Sequence, residues 1–480
     1  MTARLKPIAQ LVLFFAIALC RLSPQEARAQ SPPSPPAVQA AAGSPTSSPS
    51  LPELETPPLP ATAPRLVPLD REITLDEAIA IALSNQPQLI LAQYAADAAR
   101  ARVSEASSAL YPSFDIGAQH TRSGPQSAGG ASRAGGYTAD VSGRELIYDF
   151  GKTAGSVGQA RSRAESAQQA LLQTRQDVIN QVKQAYYTLL QDGQLVGVQE
   201  SGVRDQQEHL KLAQARFQAG VAPRADVVRA EAAVANAVLG LATSQNAAAT
   251  ARVSLNLALG VDARTPTRVR EVQEVELFGP EPASLVDQAL ENRPTAGQAR
   301  ADVEAARNAL RVARATNRPS LSLSGDYGWS GSEFPPGDRS WSYAVGLSWP
   351  LFDIGLTAGR VREAQANLRA SETGLRQTEL SVASEVIRAY LNVQTARQKV
   401  TTSESEVASA EESLLLATGR YQSGVGIYVE VLDAETAAIT ARTNLVNSRY
   451  ALSTSLAALR AALGIDAYGQ EVIPAGSSGG

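Results

Sequence analysis

The sequence predicts a mainly α-helical chain that also carries short membrane-type β-hairpins, built as two copies of one unit. Three observations lead there. The first is an internal repeat. Asp149-Phe150-Gly151-Lys152-Thr153-Ala154-Gly155 returns 204 positions later as Asp353-Ile354-Gly355-Leu356-Thr357-Ala358-Gly359. The same offset carries Ala215 to Val221 onto Gly419 to Val425, and Ala258 to Asp262 onto Ala462 to Asp466. A period near 200 is too long for a solenoid unit and points to a duplicated half-structure. The second is strict alternation of apolar and small polar residues in four short segments. The third is a pair of long proline-free runs whose apolar residues step by threes, fours and sevens, a coiled-coil period.

In chain order, residues 1–29 read as a secretory signal. Arg4 and Lys6 supply positive charge, Ile8 to Leu19 an apolar stretch, and Ala27-Arg28-Ala29 a small-residue cleavage site. Lipidation at Cys20 is the weaker reading, because bulky Leu19 precedes it. Residues 30–71 form a proline-rich linker expected to be disordered, with twelve prolines between 31 and 70. No later stretch offers 18 uninterrupted apolar residues, so any membrane entry falls to strands.

The first repeat spans 72–262. Thr74-Leu75-Asp76-Glu77 opens a helix as a capping box, and the pattern runs to Leu110, before Pro112. Strands follow at about 113–121 and 137–146, separated by a Gly/Ser loop from Arg122 to Gly136. Phe114, Ile116 and Ala118 alternate with Asp115, Gly117 and Gln119, and Tyr137, Ala139 and Val141 with Thr138, Asp140 and Ser142. One apolar and one small polar face is the pattern of a transmembrane β-barrel strand.

A long helix then runs from Lys152 to Ala219, on a stripe that includes Ala160, Ala164, Leu171, Val178, Val182 and Leu189. Ile179 and Tyr186 widen it, as a helix with two partners requires, and Gly193, Gly197 and Gly202 are expected to bend it. Gly220 ends it as a left-handed C′ residue, Pro223 enters the first turn of a return helix with Asp226 near its positive end, and that helix stops at Gly260.

Residues 263–283 join the halves. The second repeat, 284–467, has a helix from Ser284 to Thr316 and strands at about 320–329 and 341–349. Leu321, Leu323, Tyr327 and Trp329, then Trp341, Tyr343, Val345, Leu347 and Trp349, give them a clean apolar face with aromatic ends. Its long helix keeps the register (Ala364, Leu368, Leu375, Val382, Val386, Ala389, Val393) and ends at Gly424. Residues 468–480 read as a flexible tail. At about 1.5 Å per residue each long helix is a rod on the order of 100 Å. Two shorter helices laid end to end match it, which puts the linker at mid-height.

Four strands cannot close a barrel, and open edges are not tolerated in lipid. The sheet must therefore be shared: two copies supply eight strands, three supply twelve.

The repeat, the strand end Trp349-Pro350-Leu351-Phe352-Asp353-Ile354-Gly355, the tips Arg216-x-x-x-Gly220-Val221 and Arg420-x-x-x-Gly424-Val425, and Val429-Glu430-Val431-Leu432-Asp433-Ala434 together resemble the TolC-like outer-membrane efflux channel family over about residues 72–467. The resemblance implies a homotrimer with a twelve-stranded transmembrane barrel and a helical α-barrel reaching through the periplasm. It also implies an exit duct of a tripartite pump or type I secretion system, partnered by a periplasmic adaptor and an inner-membrane transporter. Its adaptor-facing tips would be Arg216, Gly220, Val221 and Asp226 with Arg420, Gly424, Val425, Glu430 and Asp433. Glu411 and Glu412, close to those tips, are candidates for a constriction that favours cations.

Other functions find less support. A net charge of −4 gives no basic field for nucleic acid. Two histidines, His120 and His209, read as incidental surface residues, and with one cysteine leave little for a metal site or cofactor. No nucleophile–base pair stands out, so an enzyme is disfavoured. The competing readings are a periplasmic adaptor or a coiled-coil envelope protein without a pore.

Overall fold

The computed structural model describes residues 72–122, 135–271 and 282–465. The signal peptide, the proline-rich segment, most of the Gly/Ser loop, part of the 263–283 linker and the tail lie outside the described residues.

Each half contains four helices of matching length. In the first half these are α1 (Leu75–Asn85), α2 (Pro87–Ser108), α3 (Lys152–Gln218) and α4 (Arg224–Leu259). In the second they are α5 (Pro282–Asn292), α6 (Pro294–Ala315), α7 (Leu356–Gln422) and α8 (Tyr428–Leu463). Both long helices have 67 residues and both return helices 36. The helices read as continuous over 74–110 and 284–316 are in fact broken, at Gln86 and Arg293. Each break residue is extended (ψ 116° and 127°) and followed by a proline at the first helical position. A proline there loses nothing, whereas inside a continuous helix it would clash with the preceding turn.

The capping box is present: the Thr74 hydroxyl accepts from the Glu77 amide at 3.3 Å, and the Glu77 carboxylate accepts from the Thr74 amide at 3.0 Å. The repeated Asp-x-Gly motif now has a cause. Asp149 accepts from the amides of Gly151 (3.1 Å) and Thr153 (2.6 Å), and Asp353 from Gly355 (3.2 Å) and Thr357 (2.9 Å). Each aspartate caps a long helix just after a strand.

The strands β2 (Ser113–Arg122), β3 (Gly135–Tyr148), β5 (Ser320–Gly331) and β6 (Asp338–Ser348) form one antiparallel sheet in the order β2-β3-β5-β6. The register sets Ile116 against Val141, Val141 against Tyr327 and Tyr327 against Trp341, so one face is apolar across all four strands. Asp115, Ser142, Asp326 and Ser342 cross the other face in the same way. The edges β2 and β6 pair with nothing in the described chain.

Packing follows the lengths. The C-terminus of α4 abuts the α1–α2 break: Gln86 Nε2 donates to the carbonyls of Leu257 (3.3 Å) and Ala258 (3.1 Å). Gly260, at φ 70°, lies where a Cβ would come within 2.9 Å of the Asn85 carbonyl oxygen. The two shorter helices are thus laid end to end along α3, as expected. A second short sheet closes the mid-level, where β1 (Glu72–Ile73) runs parallel to β4 (Arg268–Val269). The buried Tyr186 hydroxyl donates toward the carbonyls of Ile73 (2.9 Å) and Arg270 (2.6 Å). The main core surrounds this point, with Ile79, Val182, Tyr187, Leu255 and Leu259. Among the glycines expected to bend α3, Gly202 is a packing site: a Cβ there would meet Ile439 of α8 at 2.9 Å.

Candidate functional site at the hairpin tips

Both tips close by the same backbone chemistry. Val221 N donates to Arg216 O (3.0 Å) and Gly220 N to Phe217 O (2.9 Å), while Val425 N donates to Arg420 O (3.0 Å) and Gly424 N to Tyr421 O (3.1 Å). Gly220 (φ 75°) and Gly424 (φ 84°) take the left-handed conformation this closure needs. Pro223 is the residue before α4 rather than within its first turn, with ψ 152°. Val221 and Val425 stand out from the tips, 63% and 75% exposed, beside exposed Phe217 and Ile427.

The two tips pack on each other through Ala213, Ala230, Tyr421, Tyr428 and Val431. The Arg216 guanidinium lies 4.6 Å from the centre of the Tyr421 ring and donates to the Tyr421 carbonyl and to the Gln422 carbonyl (3.3 Å). It therefore binds the C-terminal end of α7, where the helix dipole favours a cation. Arg420 behaves otherwise, pairing loosely with Glu430 of its own hairpin at 3.7 Å.

Asp226, expected as a docking residue, is buried instead. The second hairpin covers it, and it sits near Tyr421 and Tyr428. Burial pushes the Tyr428 hydroxyl up to about 12, with the charges of Tyr421, Asp226 and Glu435 adding to the effect. Tyr421 is raised for the same first reason, then by Asp226, against the opposing pull of Arg216. The two tyrosines were not singled out in the sequence; the signal available was Tyr421 replacing Phe217 across the repeat.

On α8 Asp433 is exposed and Glu430 half-buried, and Glu411 and Glu412 are exposed on α7. Glu411 accepts from Arg442 at 2.9 Å, and Arg442 also reaches Asp205 at 3.8 Å. His209 is no incidental surface residue. It lies at the α3–α8 contact with Nε2 3.5 Å from the fully buried Glu435. His120 is exposed on β2 and stacks on Tyr137 with ring centres 4.3 Å apart. Among the described residues no group of three or more His, Cys, Asp or Glu side chains is placed to hold a metal ion.

A sheet with one apolar face, continuous at one end with long helical hairpins, defines the class: an outer-membrane protein whose helices reach into the periplasm. Residues 78–261 and 285–465 each match the outer membrane efflux protein family, and the chain belongs to that family. It is 28% identical over 315 residues to protein CyaE of Bordetella pertussis, covering 63% of this chain and 65% of that one. It is 29% identical over 226 residues to the toluene efflux pump outer membrane protein TtgC of Pseudomonas putida, covering 45% and 46%. The chain thus spans about half to two thirds of the length of these relatives. Its fold is similar to that of the channel protein CusC, with a TM-score of 0.75 at 22% identity over 81% of this chain and 92% of that one.

Proposed function

We propose that the chain is the outer-membrane exit duct of a tripartite efflux pump or type I secretion system. It passively conducts solutes delivered by an inner-membrane transporter and a periplasmic adaptor. The observation that carries this reading is a mismatch between the halves. α3 packs along α4 and also along the second half's α6 and α8, whereas α7 has no comparable packing against α2 or α4 among the described residues. Tyr187 on α3 is wholly buried, but its repeat partner Leu391 on α7 is 52% exposed. The matching faces of the first half are open too, at Leu91 and Tyr94 on α2 and at Val238, Leu239, Val253 and Leu257 on α4.

A repeat that buries one such contact and leaves the other open at both ends joins head to tail with further copies. The free edges β2 and β6 join antiparallel in the same step. Three chains give twelve strands and six hairpins around one axis, with the sheet's small polar face lining the lumen. The apolarity of α4, which over 18 residues reaches a mean hydropathy of 1.2 with only 17% buried in the chain, fits a helix covered by a neighbour.

At the far end, the exposed apolar pairs Val221 with Phe217 and Val425 with Ile427 are the surfaces offered to an adaptor, flanked by Arg216, Arg420, Glu430 and Asp433. Gly220 and Gly424 hold their shape. Of the acidic candidates for a constriction, Glu411 is neutralised by Arg442, which leaves Glu412 as the stronger one. The test is substitution of Val221 and Val425 by Trp. Export and adaptor cross-linking should be lost while trimers persist and conduct in planar bilayers. Loss of the trimer would assign these residues a structural role, and a wild-type protein without conductance would overturn the duct.

A further inference from the structure

The α3–α8 contact above the tips contains a charge that nothing in the tip chemistry uses. Glu435 of α8 is fully buried, and neither carboxylate oxygen has a hydrogen-bond partner among the described residues. Among the described residues the imidazole of His209 on α3 is the one basic group placed against it, with Nε2 at 3.5 Å from Oε2 and only 14% of the His209 side chain exposed. One turn along α3, Gln206 is also buried, with its Oε1 unpartnered. Gly202, a further turn away, packs directly against Ile439 of α8.

The other charges around the pair are already engaged or have the wrong sign. On α8, Arg442 is held by Glu411 of α7 (2.9 Å) and Asp205 of α3 (3.8 Å). On α3, Lys211 is exposed and paired with Glu208 at 2.7 Å. From α4, Asp226 adds negative charge and is paired only distantly with Arg229, at 3.9 Å. Tyr428 and Tyr421 bring hydroxyls and no cation. The state of Glu435 therefore depends on whether His209 carries a proton.

We propose that His209 and Glu435 form a proton-operated clasp between the two hairpins, which holds the periplasmic end of the duct together while the pair shares a proton and loosens when that proton leaves. With one proton the pair is an imidazolium against a carboxylate, or its neutral equivalent, and the buried site is compensated. Without it, an anion remains in a fully buried position with no counter-charge, a state that interiors do not support. The relief available is separation of α3 from α8, which lets water reach Glu435. The contact is therefore tight on the acid side and loosens as pH rises.

The repeat confines the device. The positions equivalent to His209 and Glu435 are Ser413 and Glu231, so the equivalent helix contact between neighbouring chains carries no histidine. Each chain would respond at its internal contact only. The clasp rests on the duct reading for its consequence but not for its existence, and the test separates the two.

Full-length protein is reconstituted in planar bilayers as wild type, His209→Gln, Glu435→Gln, the double variant, and His120→Gln as the control for the other histidine. Wild-type and His120→Gln conductance should rise about tenfold as pH on the tip side is raised from about 5 to 8. His209→Gln, in which only Glu435 can hold the proton, should move the response to a different pH, Glu435→Gln, which leaves no buried anion, should stay low throughout, and the double variant should be insensitive to pH. A flat wild-type profile, or a pH response that survives in the double variant, overturns the clasp. In parallel, amide hydrogen exchange of residues 428–442 is measured and referenced to the double variant at each pH. Protection that falls as pH rises in wild type alone supports the clasp even in a protein that does not conduct, in which case the duct reading fails instead. Protection that is the same in both proteins overturns the clasp.

Discussion

The hairpin α3–α4 and the hairpin α7–α8 have the same helix lengths and the same tip closures, yet they sit in different surroundings. α3 is enclosed by its own chain, whereas α7 turns the equivalent face outward. Their side chains record the difference. Buried Gln176, Lys183 and Tyr187 on α3 correspond to exposed Leu380, Ile387 and Leu391 on α7. The internal contact is fixed in one register by the chain, and it carries buried polar groups. In the proposed duct the outward face meets a separate molecule, and it is apolar, as a surface that gains most of its energy from burial should be. Duplication explains the backbone, and the divergence marks which neighbour each copy meets.

The largest effect that tests this comparison is one in which the halves should agree. Gly260 and Gly464 sit at φ 70° and 75°, and a Cβ on either would press on backbone of the opposing helix break, at 2.9 Å from Asn85 O and 3.0 Å from Asn292 C. Substitution by Val at either position should cost about 3 kcal/mol, combining the left-handed penalty with a contact that only backbone movement relieves. The same change at Gly220, where nothing lies within 4 Å, should cost about 1–2 kcal/mol. Thermal unfolding followed by circular dichroism gives the comparison. Unequal losses at Gly260 and Gly464 would show that the mid-level is not equivalent in the two halves.

Most of the fold was legible because it is written in local patterns: period two in the strands, threes and fours in the rods, and glycines at the turns. The breaks at Gln86 and Arg293 were missed because alanine-rich flanks continue the helical pattern on both sides of a proline that is itself compatible with a helix start. The site was less legible, since its residues are defined by contacts between halves. Asp226 looks like a solvated first-turn acid until the second hairpin covers it. Glu435 did leave a local trace, a carboxylate on the stripe formed by Val431, Ala438 and Ala441, all buried. His209 left none.

A second, smaller effect should separate the halves. Tyr186 anchors the mid-level strands through two backbone carbonyls, while its repeat partner Tyr390 is only half-buried and has no such bond among the described residues. Tyr186→Phe should destabilise by about 1–2 kcal/mol and Tyr390→Phe by less than about 0.5 kcal/mol. The two should also differ in alkali. Burial pushes the Tyr186 hydroxyl up to about 12, partly offset by the backbone and the charge of Arg270. A raised value means the folded state keeps a proton that the unfolded chain releases from about pH 10. Stability from this group is therefore intact below pH 10 and is lost as pH rises toward 12. Unfolding midpoints measured across that window should fall less steeply in Tyr186→Phe than in wild type, and Tyr390→Phe should follow wild type.

The smallest effect lies at the tips, where the two arginines that the repeat aligns have separate roles. Arg216 crosses to the other hairpin, covers Tyr421 and bonds the last carbonyls of α7, so Arg216→Ala removes a cation–π contact and a helix cap together. A loss of about 1–2 kcal/mol in tip packing follows. Arg420 and Glu430 form an exposed pair at 3.7 Å, a geometry worth between about 0 and 0.5 kcal/mol. Amide exchange in residues 421–431 should therefore accelerate in Arg216→Ala and stay near wild type in Arg420→Ala, at both low and high salt. If the two variants accelerate exchange equally, the tips are equivalent in energy as well as in sequence, and the contact between hairpins is not the one that holds the mouth. If only Arg216→Ala responds, the strong contact is internal to the chain, and the contact with a neighbouring copy is the one left to open first.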